Sequence, residues 1–294
     1  MSGLNEVETL AVNGALRMGD ACMKLIHDIL YVPIVLPSLA VIALLVPLLA
    51  LRWFRVAADR KRTEWLILAA MFFKAISMFS LSIARDLSLL RPLKFDLYVF
   101  HIDSFFGNPS FRLGHVVAAH SWLWILLNFS YDTTEMAVFG VFAAYLYLCS
   151  EAETIRLVKT FLFNIVAAVP IYLLFPVCGP RFAFPSFPAL PPTPIIPHMQ
   201  GIAAAPNGIP SVHTSTALLI LWFLWRWPWG RVAGLICLLL TVLATLGGGQ
   251  HYLFDLICSI PYTGAILWAV HKLDARSAAK KKVKEEISKY SCSS

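Results

Sequence analysis

Two short stretches of the chain gather residue types that do chemistry. One is Pro210-Ser211-Val212-His213; the other is Gly249-Gln250-His251-Tyr252-Leu253-Phe254-Asp255. His251 and Asp255 stand four apart at the expected start of a helix, so they share one face. There Asp255 can hold the imidazole in one tautomer and stabilise its protonated form. One ring nitrogen is left facing outward as a nucleophile or a base. Ser211 and His213 fall in the first turn of a second helix, where free N–H groups and the helix dipole favour an anion. A third cluster, Cys178-Gly179-Pro180-Arg181, adds a guanidinium whose planar fork suits phosphate oxygens. Gly247-Gly248-Gly249 permits a tight turn and the close approach of a head group. Together these groups suit phosphoryl transfer through positioned electrostatics. None of the motifs carries a carboxylate cluster resembling a magnesium site, so the expected chemistry is metal-free and uses no cofactor.

The elements that must position these residues are apolar. Of the 294 residues 59% are hydrophobic and only 14% are charged, where a soluble domain carries about 25%. Runs near 20 apolar residues recur, which is the pattern of membrane-spanning helices. An all-α integral membrane protein is therefore expected, with spans at roughly 31–51, 65–84, 114–131, 135–150, 158–177, 211–228, 231–248 and 252–271. No cleavable signal peptide is expected. Two longer connections stand out. The segment 85–113 mixes charges with aromatics and should lie at the interface. The segment 178–210 holds eight prolines before Pro210 and reads as a rigid functional loop.

Charge sets an orientation. The formal charge is +7, and Lys280, Lys281, Lys282 and Lys284 crowd the tail. A basic tail beside a span is expected in the cytoplasm, against an anionic leaflet and not on nucleic acid. Counting back, the turn with Arg226 and Arg231 is cytoplasmic. The 178–210 loop, the turn at 247–250 and a turn at Asp132 and Glu135 fall on the opposite face. The loop 52–62, with Arg52, Arg55, Arg60, Lys61 and Arg62, dissents: an eight-span count leaves it outside. The cysteines at 22, 149, 178, 237, 258 and 292 form no Cys-x-x-Cys pair, so neither a disulfide framework nor a zinc site is expected.

"PSVH" and "HYLFD" resemble the second and third signature motifs of the type 2 phosphatidic acid phosphatase (PAP2) superfamily. The resemblance implies that His251 is the nucleophile, that Asp255 orients it, and that His213 protonates the leaving group. Arg181, Ser211 and Gly249 would bind phosphate. Gln250, Tyr252 and Asp103 are possible substrate contacts. The Ser-Arg pair that usually precedes the third motif is replaced by Ala244 and Thr245, and Arg91-Pro92 comes too early to serve as the first motif. "HYLFD" is more similar to the His-Tyr-x-x-Asp form of the inositol phosphorylceramide synthase and sphingomyelin synthase branch. That branch hands a head group to a lipid alcohol instead of to water. The implied organisation is an N-terminal segment 1–113 with two transmembrane helices and an interfacial segment, a six-helix catalytic core 114–271, and a basic cytoplasmic tail 272–294. The expected substrate is a membrane lipid carrying a phosphoester, with the site on the non-cytoplasmic face. A lipid phosphate phosphatase is the close alternative. A lipid transporter or scramblase without turnover is the alternative of another class.

Lys74, Gly107 and four more histidines were weighed for lesser roles. Asp103 with Gly107 could shape the lipid entrance. Lys74 sits mid-span, where it would snorkel or pair. His101, His115, His120 and His198 are expected in packing or exposed positions.

Overall fold

The computed structural model describes residues 95–197 and 206–291, together with residues 73, 76, 77 and 80. Every regular element among the described residues is an α-helix. In chain order these are α1 (Asp96–Ser104), α2 (Pro109–Ala119), α3 (Ser121–Leu148), α4 (Glu151–Leu174), α5 (Pro180–Ala183), α6 (Val212–Leu224), α7 (Pro228–Gly247) and α8 (Leu253–Ser291). The expected spans 31–51 and 65–84 fall outside this set, apart from four residues of the second. So do Lys74 and His198.

Two expected spans, 114–131 and 135–150, are not separate. The chain makes the short helix α2 and then one 28-residue helix, α3, that runs through Asp132 and Glu135. The run Asp132-Thr133-Thr134-Glu135 reads as a turn because its residues are polar. Its threonines instead satisfy themselves inside the helix. Thr133 Oγ1 donates to the Phe129 carbonyl at 2.7 Å, and Thr134 Oγ1 donates to the Ser130 carbonyl at 3.0 Å. Such back-bonding to the preceding turn is how hydroxyls are accommodated mid-helix.

Helix α4 begins at Glu151, seven residues before its expected start. Ser150 caps it through a reciprocal box: the Ser150 amide donates to Glu153 Oε2 at 3.0 Å, and the Glu153 amide donates to Ser150 Oγ at 3.4 Å. Only Cys149 and Ser150 separate α3 from α4, so the two run antiparallel. Among the described residues three helices are long and apolar enough to cross a membrane: α4, α7 and the Leu253–Lys280 part of α8. Helix α8 continues past them, so the expected tail is helical as far as Ser291.

A short helix sits at the centre of the bundle. Helix α6 packs against α3, α4, α7 and α8. Its Ala217, Leu219 and Ile220 are buried, while Trp222 faces outward. Thirteen residues rise only about 20 Å, less than the roughly 30 Å hydrocarbon core. The loop before α6 therefore brings the chain back into the bundle before the helix starts. Below it, Phe142, Phe161 and Phe223 join Val138, Leu157 and Leu219 in the main core. Phe73 adds edge-to-face contacts to Phe139, Phe142 and Phe161. Outward-facing Phe163, Val166, Ile236, Leu239, Ile260 and Trp268 are exposed, which suits a surface bathed in lipid.

Candidate active site

The turn between α7 and α8 carries His251. Helix α7 ends as the Gln250 and His251 amides both close on the Thr245 carbonyl, at 2.9 and 3.2 Å. Gly249 adopts φ +65, a left-handed conformation that glycine takes freely. A Cβ there would meet the Phe187 ring at 2.6 Å and Arg181 Cβ at 3.0 Å. The glycine thus lets α5 close over the turn, and the Arg181 amide donates to the Gly249 carbonyl at 2.9 Å. Gly179, at φ +93, makes a second close approach: a Cβ would lie 2.2 Å from the Gln250 carbonyl oxygen. Gln250 is half-buried in this seam.

His251 is 2% exposed, and its carbonyl accepts Ser110 Oγ from α2 at 2.9 Å. Its Nδ1 lies 3.4 Å from Asp255 Oδ2 without a formed hydrogen bond. Asp255 Oδ2 accepts the Tyr252 amide at 2.9 Å, so the carboxylate is fixed by its own turn. Burial pushes the His251 imidazole down to about 4, partly opposed by a hydrogen bond with the Gly208 backbone. The ring is therefore neutral near pH 7, the form with a lone pair to give. Catalytic hydrogen bonds often tighten only when substrate or charge arrives.

Ser211 caps α6. Its hydroxyl accepts the Thr214 amide at 3.3 Å and the Thr214 hydroxyl at 3.1 Å. Ser259 of α8 donates to the Ser211 carbonyl at 3.0 Å and to the Asp255 carbonyl at 2.9 Å. This stitch sets the start of α6 beside the start of α8. The rings of His213 and His251 lie with centroids 6.3 Å apart, close enough for one phosphoryl group to touch both. His213 stacks on Tyr131 of α3 at 4.2 Å with 23° between planes. Tyr131 stands ten residues into α3, about 15 Å along its axis. The imidazole pair is thus recessed below the end of the bundle.

Arg181 is exposed, with its guanidinium 5.6 Å above the Trp124 ring. The other candidates face protein. Tyr252 is fully buried and its hydroxyl donates to Asp96 Oδ1 at 3.1 Å. Asp103, 1% exposed, caps α8 from α1: the Leu253 and Phe254 amides donate to its two oxygens at 2.8 and 3.0 Å. Both residues hold the site together and neither is open to a substrate. His101, His115 and His120 are exposed.

Sequence reasoning missed Asp96, Ser110, Tyr131 and Ser259. Asp96 is fully buried and accepts the Cys178 and Gly179 amides at 3.1 and 3.0 Å. A signal was available. Asp96 and Asp103 are seven apart, two helical turns, so an amphipathic helix must present both on one face. Among the described residues no three histidine, cysteine or acidic side chains are grouped to hold a metal ion.

These features define an all-helical membrane protein with two imidazoles and a carboxylate gathered at one end of its bundle. A model of the PAP2 superfamily matches residues 98–269. That is more than half of the chain, and the chain belongs to this superfamily, which comprises phosphatases and phosphotransferases. The matched stretch begins within α1 and takes in all of α2. No curated protein and no solved structure matches the chain.

Proposed function

We propose that this protein is a membrane-embedded lipid phosphotransferase that moves a phospho-head group from one lipid to the alcohol of another. The observation that carries the proposal is the pairing of His213 with His251 at 6.3 Å, with Asp255 Oδ2 3.4 Å from His251 Nδ1. The lone pair of His251 forms an N–P bond as the P–O bond to the leaving group breaks. His213 gives that oxygen its proton. The imidazole on phosphorus becomes cationic, and Asp255 balances its charge. An acceptor hydroxyl then loses its proton to His213 and attacks phosphorus, which frees His251. Arg181 and the amides around Gly249 and Ser211 are the groups proposed to bind phosphate oxygens. The substrate is a lipid phosphoester, and inositol phosphorylceramide synthase-like transfer is the form favoured by "HYLFD".

Burial favours an alcohol over water as acceptor. His251 is 2% exposed and its carbonyl takes the Ser110 hydroxyl of α2, and a dry site protects an intermediate from hydrolysis. The orientation is part of the proposal: site on the non-cytoplasmic face, tail of α8 in the cytoplasm. If α3 and the expected span 65–84 each cross once, the count back from the tail puts the basic loop 52–62 on the cytoplasmic side, as the charge rule asks.

The test is turnover of a phospholipid labelled in its head group, by the purified protein in vesicles, with and without ceramide or diacylglycerol. A new labelled lipid supports transfer. Labelled water-soluble phosphate means hydrolysis by the same site. No product, or full activity in His251→Ala, overturns the assignment.

A further inference from the structure

The geometry points to Tyr131 as a positioning residue for the proposed reaction: its ring, stacked flat on His213, fixes the plane from which that imidazole exchanges its proton. This rests on the phosphoryl-transfer reading above. The rings lie 4.2 Å apart and 23° from parallel. A histidine ring turns about a broad two-fold torsion, and the helix start that holds His213 does not by itself choose its plane. A flat partner on one face does.

Tyr131 is well placed to be that partner. It packs against a cluster built on Val117, Leu127 and Ala244, with Leu113, Leu123, Leu240 and Leu243 around it. Helices α2, α3 and α7 all contribute, so the platform is tied to three elements and His213 to a fourth. Two further groups stand near His213. His251 comes from the turn before α8, with Asp255 behind it. Tyr172 of α4 reaches the loop before α6, donating from its hydroxyl to the Pro210 carbonyl at 3.2 Å. None of these is stacked on the imidazole.

Positioning and plain packing differ in what they do to the leaving group. When an alkyl phosphoester is cleaved, the departing alkoxide needs the proton that His213 supplies. When a 4-nitrophenyl ester of the same phosphoryl group is cleaved, the phenolate leaves without it. Tyr131 itself forms and breaks no bond. His213 takes the acceptor's proton in the second step whichever ester is used, so only the first step, release of the leaving group, tells the esters apart. Misalignment of His213 slows it for the alkyl ester and spares it for the 4-nitrophenyl ester, whereas a loosened bundle slows both.

The experiment uses the full chain in detergent micelles and compares Tyr131→Leu, Tyr131→Phe and His213→Ala on the paired alkyl and 4-nitrophenyl substrates. Tyr131→Leu is expected to lower the single-turnover rate of leaving-group release from the alkyl ester by roughly 10- to 100-fold, a part of what general acid catalysis supplies. It should change the single-turnover release of 4-nitrophenolate by less than about threefold. Tyr131→Phe, which keeps the ring, restores activity to near wild type. Tyr131→Met serves as a second apolar replacement if the leucine variant does not fold. An equal loss on the two esters, or a Tyr131→Phe protein as slow as Tyr131→Leu, overturns the proposal. If His213→Ala shows no preference for the 4-nitrophenyl ester, the acid role of His213 fails instead, and the reading beneath the proposal with it.

Discussion

The Tyr252 hydroxyl donates to Asp96 Oδ1 at 3.1 Å across 156 positions of sequence. The same carboxylate takes the Cys178 and Gly179 amides, so a surface helix ties the α5 loop to the residue next to His251. Asp96→Ala leaves these donors buried and unpaired, at about 1–3 kcal/mol each. It is expected to lower the melting temperature in detergent sharply and to depress kcat. Tyr252→Phe removes one donor together with one bond to the acceptor, so its cost is near 1 kcal/mol. A Tyr252→Phe protein as unstable as Asp96→Ala would mean that the aromatic packing, and not the carboxylate, joins these loops.

Burial holds the carboxyls of Asp96 and Asp103 up at about 6, above the ordinary value of 3.8. The folded chain thus keeps these protons to higher pH than the unfolded chain does. Their contribution to stability is full below about pH 4 and is lost as pH rises through 6. His251, pushed down to about 4, titrates in the opposite sense: its contribution is full above its unfolded value and is lost as pH falls toward 4. The difference between wild type and Asp96→Asn isolates the carboxyl. Wild type should lose melting temperature relative to Asp96→Asn as pH rises from about 4 to about 6.5, and the gap should then stay constant. A gap that does not vary with pH would show that Asp96 titrates alike in both states.

Two glycines make a paired test of the close approach at the site. Gly179 adopts φ +93 and a Cβ there would fall 2.2 Å from the Gln250 carbonyl oxygen, which is backbone and cannot step aside. Gly264 on α8 would place its Cβ in open space. Gly179→Ala is expected to destabilise by several kcal/mol and abolish turnover. Gly264→Ala should leave activity unchanged and match or raise stability by up to about 1 kcal/mol, as alanine does inside a helix. Melting curves and turnover of both proteins, side by side, decide it.

Much of the fold was legible because lipid-facing helices announce themselves by length and hydropathy. The span that became α7 falls within three residues of the helix at both ends and the start of α8 within one, since their turns carry Pro228 and the glycines at 247–249, while α4 starts seven residues early at its Ser150 cap. Helix α3 was not legible at Asp132, because back-bonded threonines look like a turn in one dimension. His213, His251 and Asp255 stood out as polar groups where burial is costly. Asp96 and Ser110 did not, since their partners lie 82 and 141 positions away. A long-range cap leaves no local spacing to read. Tyr131 was hidden by the same error that split α3, which placed it at a turn instead of in the bundle wall.

If helix α3 crosses the membrane once, a consequence for topology can be measured. One end of it lies beside Arg181, whose guanidinium covers Trp124. At the other end Arg226 Nη1 reaches Cys149 Sγ at 3.4 Å. The helix therefore runs from the site end of the bundle to the opposite end, and the α1–α2 turn with the exposed Phe105 stays on the site side. If the segment 65–84 crosses once, the loop 52–62 shares a side with the basic tail. In a chain stripped of its other cysteines, Phe105→Cys should react with a membrane-impermeant maleimide applied to the non-cytoplasmic face of sealed vesicles. Ala58→Cys and the native Cys292 should react only after permeabilisation. Labelling of Ala58→Cys together with Phe105→Cys would mean an even number of crossings between them, and the basic loop would then break the charge rule after all.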